Sequence, residues 1–267
     1  MSDPVTPDEG RLALRDLRIA FGSRRVVDLE GLRLGPGEIV GLAGESGSGK
    51  SMTAMAILGL ATHVGATVEG SVRFEGEELV GAPERRLREI RGSRIAAIFQ
   101  NPVSAFNPVY RVGEAFIGSL RLHGAGADEA KERAERAMRE VLLSPDILRR
   151  YPHQLSGGQA QRVAIAQALA LHAEVLLADE PTSALDVTVQ AEILDSLRRV
   201  RDEVGMSILF ISHDLAVLAE LSDHLAVMQR GVVVESGPTG QVLGDPRDAY
   251  TRELVAAVPK IGGSPLR

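Results

Sequence analysis

The chain has 267 residues, of which 44% are hydrophobic, and its formal net charge is −6. That length suffices for one large domain with its own core, or for one domain with an appendage. The sequence contains no cysteine, which excludes a disulfide framework and a thiolate metal site. The negative charge argues against a general nucleic-acid surface, so we expect no nucleic-acid partner.

We expect neither a signal peptide nor a membrane-spanning helix. The first ten residues, MSDPVTPDEG, are polar and acidic, unlike the basic and apolar start of a signal peptide. The most apolar stretches, at 52–61 and 163–178, are too short or too interrupted by polar residues to cross a bilayer. The sequence therefore predicts a soluble protein whose membrane role, if it has one, depends on a partner.

The first hundred residues alternate between apolar and polar side chains in a way that is typical of strands. The stretches at 12–21 and 26–34 predict a pair of antiparallel strands. GEIVGLAG at 37–44 predicts a short buried strand, and KSMTAMAILGL at 50–60 predicts the helix after it. Two further strands are predicted at 70–79 and 94–100.

The pattern becomes helical from about Pro102 to Leu155. Apolar residues fall there at the spacing of one helix face: Ala134, Ala137, Met138, Val141 and Leu142. Asp128 and Glu129 precede them, where the positive end of the helix dipole favours negative charge. We interpret this segment as an inserted helical subdomain.

The alternation of strand and helix then resumes. The near-continuous apolar run EVLLADE, at 174–180, is typical of a parallel strand covered on both faces. The elements predicted after it are a helix at 187–205, a strand at 207–214, a helix at 215–223 and a hairpin at 224–236. This order predicts an α/β core in which helices flank a mainly parallel sheet.

The sequence GESGSGKS matches the pattern G-x-x-x-x-G-K-[ST] between a predicted strand and a predicted helix. Its residues are Gly44, Glu45, Ser46, Gly47, Ser48, Gly49, Lys50 and Ser51. Backbone N–H groups of such a loop surround phosphate oxygens, and the helix N-terminus adds partial positive charge. We expect Lys50 to reach the β- and γ-phosphates of a nucleotide and Ser51 to bind Mg²⁺. The alternative, a glycine-rich turn with a surface lysine, fits this context less well.

An acidic pair, Asp179 and Glu180, ends the predicted strand EVLLADE. Ligands of open α/β sheets bind beyond the carboxyl ends of the strands. We expect Asp179 to hold Mg²⁺, directly or through water, and Glu180 to orient or deprotonate an attacking water. A solvated acidic turn is the alternative.

A second glycine-rich segment, LSGGQ at 155–159, opens an alanine-rich stretch that would form a helix without it. Glycine costs backbone entropy in a helix, so the pair Gly157 and Gly158 needs another reason. Together with the other motifs, this segment resembles the nucleotide-binding subunit of ATP-binding cassette (ABC) transporters. The matching stretches, in the family's order over about 12–236, are GESGSGKS, Gln100 in IFQNP, LSGGQ, LLADE, SALD at 183–186 and His213 in ISHD.

The resemblance implies a fold and an activity. The implied fold is α/β, a P-loop NTPase with an ABC ATPase core, an N-terminal antiparallel β-subdomain and an inserted α-helical subdomain. The core and β-subdomain would occupy about 12–101 and 156–236, the helical subdomain 102–155, and a C-terminal extension 237–267 of a single domain, 1–267. The implied activity is ATP hydrolysis with Mg²⁺.

The resemblance also implies roles for single residues. Gln100 would contact Mg²⁺ and the lytic water, and His213 would contact the γ-phosphate and position that water. Phe21 lies where the family places an aromatic residue that stacks on adenine, although tyrosine is commoner there. Taken alone, His213 and Phe21 would be interpreted at least as readily as structural residues.

The LSGGQ segment is implied to act in a head-to-tail dimer. Its phosphate-facing residues would be Ser156, Gly157, Gly158 and Gln159, each directed at ATP bound to the other chain. Asp186 is implied to communicate across the same dimer. Ala160 stands where a polar or basic residue is frequent, which is expected to alter the interface.

Four stretches resemble the importer subfamily for dipeptides, oligopeptides and nickel. They are RIAAIFQNPVSAFNPVYRVGEAF, RRYPHQLSGGQ, ADEPTSALDVTVQAEIL and DPRDAYTRELVAAVP. The resemblance implies two transmembrane permease subunits, a second and different ABC ATPase subunit, and an extracytoplasmic solute-binding protein, with this chain peripheral on the cytoplasmic face of the membrane. The segment SAFNPVYRVGE would belong to the surface that receives a permease helix. A nickel or other small-solute importer, and a soluble ABC protein without a transport role, remain alternatives.

Overall fold

The computed structural model describes residues 10–100, 106–183 and 185–258. The chain divides into two compact units, Met1–Arg88 with Ser207–Arg267, and Glu89–Met206. Helix α2 contains one of the two boundaries. The predicted division into a core, a helical subdomain and a C-terminal extension stays a prediction, and residues 259–267 of that extension lie outside the described residues.

The strands lie close to the positions that alternating or continuous apolar runs predicted. Their bounds are β1 (Leu12–Phe21), β2 (Arg24–Leu34), β3 (Ile39–Ala43), β4 (Thr67–Phe74), β5 (Glu77–Glu78), β6 (Ile95–Ile98), β7 (Val175–Asp179), β8 (Ser207–Ser212), β9 (His224–Gln229) and β10 (Val232–Pro238).

Most helices of the described residues lie where helices were predicted, but no helix was predicted at 84–90, 239–244 or 249–257. They are α1 (Lys50–Ile57), α2 (Glu84–Ile90), α3 (Val112–Leu122), α4 (Ala127–Glu140), α5 (Gly157–Ala170), α6 (Val187–Val204), α7 (Leu215–Leu221), α8 (Thr239–Gly244) and α9 (Ala249–Ala257). Short 3₁₀ turns lie at Ala61–Val64, Pro145–Arg149 and Pro152–Gln154.

The first unit contains an antiparallel sheet in the order β2-β1-β4-β5. Because side chains alternate between the two faces of a strand, apolar residues at alternate positions of β1 and β2 share one face of the sheet. Leu17, Ile19 and Leu29 on that face are fully buried. The same unit contains strands in the order β10-β9-β3-β8, in which β3 is parallel to both β8 and β9. All side chains of β3 and β8 are buried, as the apolar runs predicted.

The second unit combines a parallel strand pair with helices. Strands β6 and β7 pair in parallel, and all five residues of β7 are buried. Helix α4 buries Ala134, Ala137 and Met138, and its first turn carries Asp128 and Glu129 as predicted. Helices α3 and α4 confirm the helical character predicted for this part of the chain.

Leu142 is a correction to the predicted apolar face of α4, because its side chain is 60% exposed. The helix ends at Glu140, and Leu142 takes the left-handed conformation with φ of 59°. The Leu143 N–H then donates to the Met138 carbonyl at 2.9 Å, and the Leu142 N–H to the Arg139 carbonyl at 3.0 Å. These bonds form a Schellman motif, which turns Leu142 outward and buries Leu143 instead.

Candidate active site

The loop Gly44–Ser51 connects β3 to α1, which is the predicted strand–loop–helix context. Gly44, Gly47 and Gly49 have φ values of 148°, 81° and 108°, which residues with a side chain rarely adopt. A Cβ at Gly44 would also overlap the backbone carbonyl of Met228. Glycine is therefore required here by the path of the backbone.

Lys50 is buried at the start of α1 and holds this loop from within. Its Nζ donates to the carbonyl oxygens of Gly44 at 2.6 Å and Glu45 at 2.8 Å. Gly49 is the N-cap of α1 and has no side chain that could occupy the first N–H groups of the helix. The loop thus combines a buried ammonium group with a helix N-terminus, an arrangement that favours a bound anion.

Residues distant in sequence support the loop from outside. At the tip of the β9–β10 hairpin, the Gly231 N–H donates to the Ser48 carbonyl at 2.9 Å, and the Gly231 carbonyl accepts from the Asp28 N–H at 2.7 Å. The hydroxyl oxygen of Tyr250 accepts a hydrogen bond from the Glu45 N–H at 3.1 Å. Neither support could be predicted from the sequence, because no local pattern links residues some 200 positions apart.

Phe21 and His213 belong to the same unit as the loop. Phe21 is the last residue of β1 and is 38% exposed, so an adenine could reach it. His213 is exposed directly after β8. The next residue, Asp214, caps α7 by accepting from the Ala216 N–H at 2.9 Å. The roles of Phe21 and His213 toward a nucleotide stay predictions.

Asp179 and Glu180 end β7 in the second unit. The Asp179 side chain is only 5% exposed, and Glu180 has a left-handed φ of 52°. Hydrogen bonds hold this turn, since the Glu180 carbonyl accepts from the Ser183 N–H at 3.2 Å and from its hydroxyl at 2.9 Å. A residue with a side chain costs energy in this conformation, and such strain concentrates at functional sites.

Gln100 follows β6, the strand that pairs with β7. It is exposed, so its side-chain amide is accessible to a ligand. Residues 101–105, which include part of the segment SAFNPVYRVGE, lie outside the described residues.

Helix α5 begins at the LSGGQ segment with a reciprocal cap. Ser156 Oγ accepts from the Gln159 N–H at 3.2 Å, and Gln159 Oε1 accepts from the Ser156 N–H at 3.2 Å. This capping box makes Ser156 the N-cap of α5. Ser156 and Gly157 are exposed, so both remain accessible to a ligand or a second chain.

The two glycines of this segment differ in their surroundings. Gly158 is buried, and a Cβ there would overlap the side chain of Val189 in α6. A Cβ at Gly157 would meet only Cδ2 of Leu185, at 3.3 Å. Close packing of α5 on α6 therefore explains Gly158 without any nucleotide.

Ala160 is fully buried within its own chain. Its expected effect on an interface with a second subunit stays a prediction. Asp186 is exposed and caps α6, since its Oδ1 accepts from the Val189 N–H at 3.0 Å. This cap is a local role for Asp186; its predicted role across a dimer stays a prediction.

The predicted site residues are divided between the two units. The first unit contains the loop Gly44–Ser51 after β3, His213 after the neighbouring strand β8, and Phe21 at the end of β1 in the antiparallel sheet. The second unit contains the remaining residues: Gln100, Ser156, Gly157, Gly158, Gln159, Asp179, Glu180 and Asp186.

The residues proposed for Mg²⁺ supply only oxygen donors. They are the Ser51 hydroxyl, the Gln100 amide and the Asp179 carboxylate. Within the described parts of the chain, no cluster of three or more His, Cys, Asp or Glu could hold a metal alone. This donor set fits Mg²⁺, which typically takes one or two carboxylates and completes its shell with substrate phosphates and water.

The ABC transporter family profile matches residues 30–183. The chain belongs to the ABC transporter family. This ABC protein is an ATP-binding cassette of the ATPase type, as the motifs predicted.

Its curated relatives include several import proteins. It is 45% identical over 250 residues to a Brucella melitensis protein provisionally named as a peptide import ATP-binding protein, covering 92% of this chain and 75% of the relative. It is 46% identical to the peptidoglycan transport ATP-binding protein YejF of Agrobacterium fabrum, over 93% of this chain and 47% of YejF. It is 45% identical to the glutathione import ATP-binding protein GsiA of Salmonella typhimurium, over 86% of this chain and 38% of GsiA.

Solved ABC structures share the fold. The bacterial ABC transporter cassette MJ0796, solved as a dimer, matches with a TM-score of 0.74 and 28% identity over 85% of this chain and 98% of MJ0796. The cbiO1 protein of Clostridium perfringens, part of the transporter complex cbiONQ, matches with a TM-score of 0.78 and 24% identity over 94% of this chain and 97% of its own. Within residues 10–100, 106–183 and 185–258, no helix combines the length and apolar character needed to cross a membrane.

Proposed function

We propose that this cassette hydrolyses ATP to drive the import of peptides or peptide-like solutes, as a peripheral subunit on the cytoplasmic face of the membrane. The proposal that the chain binds ATP rests on the geometry of the loop Gly44–Ser51. Its left-handed glycines, its buried Lys50 and the N-terminus of α1 form a preorganised site for the phosphates of a nucleotide. Phe21, at the exposed end of β1, is proposed to stack on the adenine.

The proposed chemistry divides the polar residues by role. Ser51, Gln100 and Asp179 are proposed to hold Mg²⁺, which neutralises charge on the β- and γ-phosphates when bound. Glu180 accepts a proton from the attacking water, and Gln100 and His213 keep that water in line with the γ-phosphate. Lys50 exchanges its bonds with the loop carbonyls for bonds with the phosphate oxygens.

The LSGGQ segment is proposed to act on ATP bound to a second cassette, in a head-to-tail pair. Ser156 and Gly157 are exposed at the N-terminus of α5, which is a favourable position for an anion from another chain. A helix terminus contributes about 0.3–1 kcal/mol to such an interaction. That is too little to hold a nucleotide, but it is enough to favour closure on ATP that the first chain already holds.

A groove in the second unit is the proposed docking site for a helix of a membrane-spanning permease subunit. It has a volume of about 400 Å³ and is lined by apolar groups that include Phe99, Phe106 and Leu171. Val109 and Tyr110, which follow Phe106 closely in sequence, are also exposed. Import cassettes act with membrane-spanning subunits, and the apolar lining of this groove would suit the apolar face of a helix from such a subunit.

The proposal of a peptide-like solute is supported by the named relatives. Peptides, peptidoglycan and glutathione, the solutes in their names, share peptide bonds. The solute itself would be delivered by an extracytoplasmic binding protein and chosen by the permeases. A second ABC ATPase, different in sequence, is the proposed partner of this chain.

ATP binding is tested by titrating the chain with ATP. Lys50→Ala should abolish measurable binding, because it removes the ammonium group that faces the phosphates. Lys131→Ala removes an exposed lysine of α4 and is the matched control. Normal ATP affinity of Lys50→Ala would refute the proposed site.

The transport role is tested by reconstituting the complex with its binding protein and measuring ATP turnover. Stimulation by short peptides, but not by nickel chelates or sugars, is the expected result. Stimulation by nickel alone would favour a nickel importer, and failure to co-purify with any membrane protein would favour a soluble ABC protein.

A further inference from the structure

The side chain of Tyr250 lies far from the phosphate loop in sequence but contacts its backbone. Tyr250 is in the first turn of α9 and is only 6% exposed. Its hydroxyl oxygen accepts a hydrogen bond from the Glu45 N–H at 3.1 Å. Burial raises the pKa of this phenol above its usual value, so it remains a neutral acceptor at physiological pH.

A chain of hydrogen bonds fixes the position of Tyr250. Asp248 is the N-cap of α9 and accepts from the Tyr250 N–H at 2.8 Å. Glu235, in β10, accepts in turn from the Arg247 N–H at 2.9 Å and the Asp248 N–H at 3.0 Å. The start of α9 is therefore hydrogen-bonded to β10, and the Tyr250 hydroxyl is held within hydrogen-bonding distance of the Glu45 N–H.

The bond from Tyr250 complements those from Lys50. The lysine holds the carbonyl oxygens of Gly44 and Glu45, and the tyrosine holds the N–H of Glu45. The peptide groups on both sides of Glu45 are thus fixed before any nucleotide binds. A loop that is preorganised in this way loses less conformational freedom on binding.

We propose that Tyr250 is a positioning residue, which holds the phosphate loop in its nucleotide-binding conformation through the Glu45 N–H. Helix α9 is then part of the ATP site, although it lies outside the nucleotide-binding motifs of the cassette. This inference rests on the proposed function of the loop as the ATP site. Without the phenol oxygen, the Glu45 N–H would donate its hydrogen bond to water instead. ATP binding would then have to restore the orientation of this N–H group.

The first measurement does not require ATP. Hydrogen–deuterium exchange of the nucleotide-free chain should show faster exchange at the Glu45 amide in Tyr250→Phe, while α9 keeps its protection. Unchanged exchange at Glu45 would overturn the proposal. If exchange became equally faster in α9 and in the loop, the cause would be undocking of the helix, and the proposed role of the hydroxyl would also be overturned.

The second measurement is ATP affinity. The Kd of Tyr250→Phe should rise by about 3- to 10-fold, the range expected when one hydrogen bond of ordinary strength is lost. The KM for ATP should rise similarly, with kcat nearly unchanged, because the hydrogen bond acts on binding rather than on the transition state. Wild-type affinity in Tyr250→Phe would overturn the proposal.

Two controls separate the hydroxyl from general effects. Tyr151→Phe makes the same substitution in the other unit, at a ring that stacks on His153. Arg252→Ala changes an exposed residue of α9 itself. Both should retain wild-type affinity. If the wild-type chain failed to bind ATP while exchange at Glu45 still depended on Tyr250, the proposed ATP site would be wrong and the positioning role would stand.

Discussion

The start of α5 allows the two glycines of LSGGQ to be tested separately. A Cβ at Gly158 would overlap Val189, whereas a Cβ at Gly157 would meet Leu185 Cδ2 at 3.3 Å, a distance that a flexible side chain can increase. Gly158 is buried and Gly157 is exposed. Alanine at each position therefore adds the same atom in two different environments.

The expected free energies follow from two opposing effects. Alanine is more favourable than glycine in a helix by up to about 1 kcal/mol, and this gain applies to both variants. Forcing an extra methyl group into a packed contact costs about 1–3 kcal/mol, and this cost applies only to Gly158→Ala. Gly158→Ala should therefore be less stable than Gly157→Ala by about 1–3 kcal/mol.

Urea unfolding of the nucleotide-free chain measures this difference. The double variant Gly158→Ala with Val189→Ala should recover most of the loss, because the second change removes the overlapping methyl groups. Val189→Ala alone is the control for its own packing loss. Equal stability of the two glycine variants, or no recovery in the double variant, would refute the packing argument.

Three further results are expected. Glu180→Gln should bind ATP normally but turn it over very slowly and accumulate an ATP-bound dimer, because the amide cannot accept the proton of the attacking water; gel filtration and phosphate release measure this, and unchanged turnover would contradict it. Ser156→Arg should abolish hydrolysis without lowering ATP affinity, since the bulky side chain blocks the surface that faces the other chain's nucleotide; a parallel loss of affinity would argue against that geometry. Burial favours a higher pKa for Glu235, but hydrogen bonds from the N–H groups of Arg247 and Asp248 keep that pKa below the usual 4.5. The stability that the charged carboxylate contributes is therefore complete above pH 4.5 and is lost as the pH falls through the lower pKa of the folded state. The difference in urea midpoint between wild type and Glu235→Gln should accordingly shrink below pH 4.5, and a constant difference would refute the assignment.

Elements and motifs with a local cause could be predicted from the sequence. The run EVLLADE predicts a buried parallel strand because an unbroken apolar run is stable only when both faces of the strand are covered, and all five residues of β7 are buried. The loop Gly44–Ser51 is similarly local, since its glycines meet the demands of its own backbone.

Contacts between distant residues could not be predicted. The bonds from Gly231 to Ser48 and from Glu45 to Tyr250 join segments that no periodicity or motif relates. The prediction of where α4 ends was wrong for a different reason. Hydrophobic spacing extends through Leu142, but the helix stops at Glu140 in a Schellman motif without the glycine that normally marks one.

The two glycine-rich segments use glycine for different physical reasons. In the phosphate loop the backbone is left-handed, so alanine is excluded by conformation at Gly44, Gly47 and Gly49. In LSGGQ neither glycine has a left-handed φ, and packing against Val189 accounts for Gly158 alone. Gly157 is exposed and meets only a weak steric demand from its own chain, so the remaining reason for a glycine there is access to its backbone N–H from outside. That is the demand which a phosphate held by a second cassette would make, and it is the reason that Gly157→Ala should fold normally and still lose turnover.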